Sequence, residues 1–237
     1  MRKETYLGVD VAPLTYKQVV KEITQRIEEG EQSTVIAVNP EKIMKSQSDE
    51  TLRGLINGST FQIPDGVGVL LASKLKGGHI TSRVTGVEMM GYLLHLAEQK
   101  GLRVFFYGAK EEVVSKAIDN MKIEHPNLIV AGYENGYEQD NEKIVKHIQD
   151  TEADMLFVAL GSPKQELWIR EHKDELPVKV FQGVGGSFDV WAGNVERAPE
   201  FFRNNGLEWL YRLAKEPKRF KRQLALPKFL YAIMKSK

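Results

Sequence analysis

The chain has 237 residues and no cysteine, a length that suits one large domain or two small ones and a composition that excludes thiolate catalysis and cysteine-based zinc sites. Its formal net charge is only +1, yet eleven Lys and Arg residues and only three acids lie between Arg197 and Lys237. An acidic body with a basic tail predicts that the tail contacts an anionic partner.

The first elements are a short N-terminal segment and a helix. The segment "MRKETYLGVDVAP" starts with charge but lacks the apolar region of a signal peptide, so we predict a cytoplasmic protein. No run of about 18 uncharged apolar residues follows, which excludes a spanning helix. In "TYKQVVKEITQRIEEG", one face carries Val19, Val20, Ile23 and Ile27, which predicts an amphipathic helix.

Apolar, β-branched runs then alternate with stretches of helical period. The predicted strands are Ser33 to Pro40, Arg103 to Ala109, Asn127 to Tyr133, Asp154 to Pro163 and Val178 to Gly186, with a further strand-like run that ends before Asp65. This alternation predicts an α/β, Rossmann-like fold with a mostly parallel sheet flanked by helices.

Several polar and glycine residues fall where these strands end. They are Asn39, Asp65, Gly108, Gly161 to Pro163 and Gly183 to Gly186. Ligands of open α/β sheets bind at the carboxyl ends of the strands, so these residues are predicted to line one crevice. Asp65, in "PDGVG", is a candidate catalytic carboxylate there, although Asp is also common in turns and helix caps.

Two further segments supply candidate ligand-binding groups. Arg83 precedes Thr85 and Gly86, which look like the cap and start of a helix running to about Lys100. A guanidinium beside a helix N-terminus suits a diphosphate, so Arg83, Thr85 and Gly86 are predicted to bind substrate. "GSPKQELWIREH" opens a helix directly after a strand, where Gln165 and Glu166 are predicted to contact substrate. Gly108, ahead of another helix, could expose backbone N–H groups to phosphate.

The sequence does not predict a binding site for a dinucleotide, a P-loop nucleotide or a metal ion. "GVGGSFD" lacks the GxGxxG order and no P-loop sequence occurs, so dinucleotide and P-loop functions are disfavoured. The five histidines are scattered without metal-ligand spacing, and no Asp-x-Asp pair is present, so we predict no metal site. A bound pyrophosphate would then be neutralised by side-chain cations and helix ends.

The tail is predicted to be a helical appendage, residues 197–237, to an α/β core of residues 1–196. Its apolar residues Leu226, Phe229, Leu230 and Ile233 recur at helical spacing beside lysines, a pattern typical of a helix on an anionic membrane surface. The alternative is a helix packed on the chain's own domain, and the two arrangements can hold in different states of the protein. Interleaved aliphatic residues disfavour nucleic acid as the partner. Every predicted strand precedes the tail, so we expect the core to fold without it.

Taken in order, the segments form a signature that resembles one protein family. It comprises "NPEK", "PDGVGV", "RVTG", "GSPKQELW", "GVGGSFDVWAG" and "RAPEFFRNNGLEWLYRLAKEPKRFKR". This series is similar to the WecG/TagA/CpsF glycosyltransferases (glycosyltransferase family 26), and most similar to their teichoic-acid N-acetylmannosaminyltransferases. The likeness covers about Asn39 to Arg222.

The resemblance implies an inverting, metal-independent transfer of N-acetylmannosamine from its UDP-sugar to the 4-hydroxyl of undecaprenyl-diphospho-N-acetylglucosamine. It also implies a peripheral protein on the inner face of the cell membrane that forms a homo-oligomer away from it. Asp65 matches the family's proposed base, Arg83 its diphosphate contact, and Asn39 and Gln165 its pocket residues. The basic residues of the appendage are matched by Arg212, Arg219 and Arg222.

One position departs from the family pattern: Ala37 stands where a Thr is common. The donor sugar therefore stays open, with UDP-N-acetylmannosaminuronic acid or another UDP-hexose as alternatives. A UDP-sugar epimerase or hydrolase, or a pure binding module, would use the same crevice, but the first two would not need the basic tail and the last would not need Asp65.

Overall fold

The computed structural model describes residues 3–204, 207–215 and 224–236 and contains one six-stranded parallel sheet with helices on both faces. The strands are β1 (Glu4–Tyr6), β2 (Val9–Val11), β3 (Ser33–Val38), β4 (Phe61–Pro64), β5 (Arg103–Gly108), β6 (Ile129–Glu134), β7 (Met155–Ala159) and β8 (Val180–Gly183). The parallel sheet has the order β4-β3-β8-β7-β5-β6. The Rossmann-like α/β prediction is confirmed.

The helices of the first half are α1 (Tyr16–Glu28), α2 (Pro40–Ser46), α3 (Glu50–Asn57), α4 (Val67–Leu75), α5 (Gly86–Lys100) and α6 (Glu111–Glu124). Those of the second half are α7 (Asn141–Asp150), α8 (Lys164–His172), α9 (Ser187–Trp191), α10 (Glu200–Asn204), α11 (Glu208–Lys215) and α12 (Ala225–Lys235). The predicted helices beginning near Tyr16, Gly86 and Lys164 are all present.

Both faces of the sheet are buried, because alternate residues of each strand enter different clusters. Val104 and Phe106 of β5 join a cluster with α1, α5, α6 and α9, whereas Phe105 and Tyr107 pack with α7 and α8. Such burial on both faces explains why the strands read as continuous apolar runs. Because both faces of the sheet are buried, the polar residues of this region lie at the ends of the strands.

The hairpin of β1 and β2 was not predicted. Its strands have three residues each, and Leu7 and Gly8 between them have φ angles of 51° and 78°. Tyr6, Val9 and Val11 are buried in a cluster beneath α2, α3 and α4. Six residues of strand are too few for a two-residue period to stand out from the sequence.

Helix α12 exists as predicted, but its apolar face contacts the protein. Phe229 and Ile233 are 0% and 1% exposed in the same cluster as the hairpin, and Leu230 packs against that cluster. Leu226 contacts the first turn of α4, since a Cβ on Gly68 would lie 2.6 Å from Leu226 Cδ1. In this arrangement the four residues pack on the protein, which is the alternative that the sequence left open, and their contact with lipid stays a prediction.

The tail also packs on the predicted core, and the expectation that the core folds without the tail stays a prediction. α12 lies against α2 and α4, and Ala198, at the start of the proposed appendage, is buried. Removing α12 would expose Val69 and Ala72 of α4. Within the ranges described, no helix is long and apolar enough to cross a bilayer.

Candidate active site

The ends of β3 and β4 bring Asn39 and Asp65 together. The Asp65 backbone N–H donates to the Val38 carbonyl at 2.8 Å, which holds the residue after β4 against the last residue of β3. Gly66, at φ 97°, then turns the chain into α4, and a Cβ on it would lie 3.9 Å from Asn39 Cβ. Asn39 and half-buried Asp65 therefore lie beside each other at the ends of β3 and β4.

Asn39 also begins a helix. Its Oδ1 accepts the Lys42 backbone N–H at 2.9 Å, and Pro40 occupies the first helical position of α2. This is ordinary N-cap chemistry and fixes the side chain in place. The side-chain carbonyl is occupied by the cap, so the amide NH₂ is the part that can donate to a ligand.

Arg83 lies beside the end of β4. The N–H of Val84 donates to the carbonyl of Pro64 at 2.8 Å, so the loop that carries Arg83 is tied to the residue directly before Asp65. The structure thus places Arg83, the predicted diphosphate contact, close to Asp65, the predicted catalytic carboxylate, along the backbone hydrogen bond between Val84 and Pro64.

The same loop is held from the N-terminal hairpin. Glu4 accepts hydrogen bonds from Ser73 Oγ at 2.8 Å, from the Ile80 N–H at 3.1 Å, and from Tyr6 Oη and the His79 N–H. Burial alone would raise the pKa of Glu4, but these hydrogen bonds lower it by favouring the carboxylate. The hairpin that the sequence analysis missed therefore orders the loop before Arg83.

Thr85 is a helix cap rather than a free ligand group. It is buried, its Oγ1 accepts the Glu88 N–H and donates to Glu88 Oε2 at 3.0 Å, and its own N–H donates to Tyr16 Oη at 2.7 Å. Glu88 also accepts from Arg197 at 2.9 Å. The hydroxyl thus caps α5 and serves this network, and the contact of Thr85 with substrate stays a prediction.

Gly86 follows directly and lies under the end of β3. Its carbonyl accepts from Gln182 Nε2 at 2.8 Å, and a Cβ on it would lie 3.4 Å from the Cβ of Ala37. The position where Thr is common in the family thus faces the first turn of α5. A hydroxyl there would stand at the N-terminus of that helix.

Gln165, Glu166 and Lys42 connect the ends of β7 and β3 across β8. Gln165 Oε1 accepts the Gly185 N–H at 3.0 Å, and Gln165 Nε2 donates to Glu166 Oε1 at 3.2 Å. Lys42 Nζ forms a buried ion pair with Glu166 Oε1 at 2.8 Å. The Gln165 amide thus hydrogen-bonds within the protein, and its predicted contact with substrate stays a prediction.

Two features of this group were not predicted. Lys42 lies in the "NPEK" segment, but a lysine in a first helical turn reads from sequence as a surface residue. Glu166 Oε2 is buried and has no hydrogen-bond partner among the described residues. A buried carboxylate oxygen without a partner is costly, which makes it a candidate acceptor for a ligand hydroxyl.

Gly108 does not join this group. Its φ is 118°, and a Cβ on it would lie 2.5 Å from the Ala159 carbonyl oxygen, so glycine is required by local packing. β8 and β7 separate its strand from β3, roughly 14 Å at the usual strand spacing. The prediction that Gly108 shares the crevice with Asn39 and Asp65 is not borne out by this placement.

The predicted basic residues of the tail fall largely beyond what the structure describes. Arg212 belongs to α11, but its side chain is outside the described set, and Arg219 and Arg222 lie between residues 215 and 224, outside the described ranges. Their proposed role therefore stays a prediction.

Comparison with known proteins identifies the family. A model of the glycosyl transferase WecG/TagA/CpsF family matches residues 4–237. A Bacillus spizizenii protein is 39% identical over 90% of this chain and 82% of its own length, and one from Bacillus subtilis strain 168 is 39% identical over 86% and 79%. A Staphylococcus aureus strain MW2 protein is 35% identical over 99% of this chain and 93% of its own.

All three relatives carry the name N-acetylglucosaminyldiphosphoundecaprenol N-acetyl-beta-D-mannosaminyltransferase. The family match extends over the strand-end residues, the N-terminal hairpin and the tail alike. The chain therefore belongs to the WecG/TagA/CpsF family of glycosyl transferases.

Proposed function

We propose that this chain transfers N-acetylmannosamine from its UDP-sugar, with inversion, to the 4-hydroxyl of undecaprenyl-diphospho-N-acetylglucosamine. The observation that carries the proposal is the place of Asp65, at a strand end between Asn39 and the loop of Arg83. The names of relatives that align with 86% to 99% of the chain support the substrates.

Asp65 acts as the general base in this proposal. It takes the proton from the attacking acceptor hydroxyl while the UDP leaves from the opposite face of the sugar, a contribution typically worth about 10²- to 10⁴-fold in rate. A second acid is not required, because a nucleoside diphosphate leaves readily when its charge is stabilised. Arg83 and the N-terminal turn of α5 supply that stabilisation in the absence of an Asp-x-Asp motif.

The donor sugar is recognised by the group that connects β3 and β7. Glu166 Oε2 accepts a sugar hydroxyl, and the amide NH₂ of Asn39 donates to a second polar group of the donor. Lys42 holds Glu166 in position through its ion pair. Gln165 acts indirectly, by holding the Gly185 backbone at the mouth of the crevice.

The lipid acceptor is reached from a membrane surface, but through a different face of α12 from the one predicted. Tyr231 and Met234 are 56% and 65% exposed on α12, and Leu71 and Leu75 are exposed on neighbouring α4. Exposed lysines lie on both helices: Lys74, Lys228 and Lys235. Apolar and basic side chains on two adjacent helices suit an anionic lipid surface.

Two further elements of the proposal come from the family resemblance. Arg212, Arg219 and Arg222 contact a diphosphate of the donor or acceptor, and the protein is a homo-oligomer away from the membrane. Both are tested by sedimentation and transfer assays with and without vesicles that contain anionic lipid.

The central test is a transfer assay with UDP-N-acetylmannosamine and a soluble lipid-linked N-acetylglucosamine acceptor, with the product identified by mass spectrometry. We expect acceptor-dependent disaccharide formation and a loss of at least about 10² in turnover for Asp65→Asn, with UDP binding retained. Asp119→Asn, an exposed acid on α6, is the matched control.

Three outcomes would contradict the proposal. UDP release without an acceptor would indicate a hydrolase, and preferred use of UDP-N-acetylmannosaminuronic acid would change the donor. Turnover of Asp65→Asn within a few-fold of the unmodified protein would remove Asp65 from the role of base.

A further inference from the structure

A large cleft lies between α5 and α9, and its lining includes Val87 and Glu88 of the first turn of α5. It has a volume of about 650 Å³, and its walls include Tyr92, His95, His125 and Trp191. Glu98 adjoins the two histidines on α5. The proposed transfer uses neither of these histidines nor Glu98, and no sequence pattern connects His95 with His125, because they belong to different helices.

Three groups that ligate metals converge here. His95, Glu98 and His125 each offer one ligand atom, and these atoms all lie within 4.8 Å of one another. The distance from His125 Nδ1 to Glu98 Oε2 is 3.2 Å. Ligands about 2.0–2.1 Å from a tetrahedral zinc ion are separated by about 3.3 Å, so only a small adjustment is needed.

The local structure fixes this arrangement. His95 and Glu98 are three residues apart on α5 and so occupy the same face of the helix. His125 terminates α6, where its own N–H donates to the Met121 carbonyl. Two rigid helix segments thus present the ligand atoms.

Neighbouring groups orient the ligands, as in known metal sites. The second oxygen of Glu98 accepts the Asn127 backbone N–H at 2.9 Å, and a ring nitrogen of His95 pairs with the Gln99 side-chain amide at 2.9 Å. The ring of His125 lies 6.4 Å from that of Trp191. Such outer contacts hold first ligands in a productive orientation.

We propose that His95, Glu98 and His125 form a binding site for one Zn²⁺ ion, with the fourth position open to water from the cleft. Two imidazoles and a carboxylate are a ligand set that suits zinc. The ion joins α5 to the end of α6 and stabilises the fold. It is remote from the transfer chemistry, because ten residues of helix, about 15 Å, separate His95 from Thr85.

The test measures Zn²⁺ affinity of the full chain after chelator treatment, by competition with a chromophoric chelator. We expect one Zn²⁺ per chain, a thermal midpoint that rises on addition of Zn²⁺, and a change in tryptophan fluorescence that is lost in Trp191→Phe. His95→Ala and His125→Asn each lower the affinity at least 10-fold. Glu98→Gln also lowers the affinity for Zn²⁺. Because glutamine has nearly the size of glutamate, this variant separates loss of a ligand from loss of folding.

The matched control is His147→Asn. His147 also contacts a glutamate, Glu134, at 2.8 Å, but belongs to no three-residue cluster in the described part of the chain. Its substitution leaves zinc affinity unchanged. Absence of stoichiometric binding, or equal affinity in folded His95→Ala and His125→Asn variants, would overturn the proposal. Chelation is expected to lower the thermal midpoint without slowing sugar transfer at 25 °C.

Discussion

At the scale of single residues, the crevice depends on a close approach between Gln165 and Gly183. A Cβ on Gly183 would lie 2.6 Å from Gln165 Nε2, which is shorter than any ordinary contact. The absence of a side chain at the end of β8 is what lets the Gln165 amide reach the Gly185 N–H and Glu166 together.

We therefore expect Gly183→Ala to displace Gln165 and to raise the KM for the UDP-sugar about 10-fold, because the chain at Gly185 and the Glu166 carboxylate lose their support. Gly54→Ala, where a Cβ would meet nothing within 4 Å, is the control and leaves KM unchanged. Steady-state kinetics measure both. An unchanged KM in folded Gly183→Ala would show that Gln165 does not position the donor pocket.

Sequence reasoning located these residues better than it assigned their contacts. Asn39 and Asp65 were found because parallel strands deliver their carboxyl ends to one edge. Gln165 and Thr85 were also found, but whether an amide or hydroxyl faces a ligand or its own protein depends on packing between distant segments. Lys42 was missed for the same reason, since its partner Glu166 is 124 residues away.

At the scale of elements, α12 shows what a hydrophobic period can and cannot predict. The spacing of Leu226, Phe229, Leu230 and Ile233 correctly indicated a helix with one apolar face. A period does not identify what covers that face, because lipid and a protein core select the same side chains. Here α2 and α4 cover it.

This packing predicts unequal effects of two substitutions on one helix. Phe229→Ala, at a fully buried site, should lower the free energy of unfolding by about 3–5 kcal/mol. Tyr231→Ala, at an exposed site two residues later, should change it by about 0.5 kcal/mol or less. Urea denaturation measures both, and equal effects would mean that α12 is not docked in solution.

The start of α5 predicts a pH dependence. Burial would raise the pKa of Glu88, but hydrogen bonds from Tyr16, Arg197 and Thr85 lower it below its ordinary value of 4.5. The stability that this carboxylate adds is therefore fully present above about pH 4.5 and is lost as the pH falls through the lower folded-state pKa.

Glu88→Gln should accordingly reduce the thermal midpoint by a few degrees at pH 7, roughly 2–4 °C for each kcal/mol lost. The difference from the unmodified protein should shrink below about pH 4. Glu112→Gln, at an exposed position on α6, should match the unmodified protein throughout. A difference for Glu88→Gln that is independent of pH would point to a purely steric effect.

At the scale of the whole molecule, the parallel sheet was predictable from the sequence. The packing of the N-terminal hairpin and of α12 on that sheet's helices was not. Strands that are buried on both faces appear in the sequence as apolar runs. Every strand of the parallel sheet was therefore predicted, with bounds within a few residues of those observed. The hairpin of β1 and β2 and the packing of α12 depend on contacts between segments far apart in the chain, which a local pattern does not contain.

The cluster that contains both Val9 and Phe229 also affects the order in which contacts form during folding. These residues are separated by 220 positions, so their contact closes nearly the full length of the chain and carries a large loop entropy. During synthesis, the apolar sides of α2 and α4 stay exposed until α12 has left the ribosome. Chaperones would bind these exposed surfaces in that period. We expect this contact to form after the main folding barrier, so Phe229→Ala should accelerate unfolding and leave the folding rate nearly unchanged in refolding experiments.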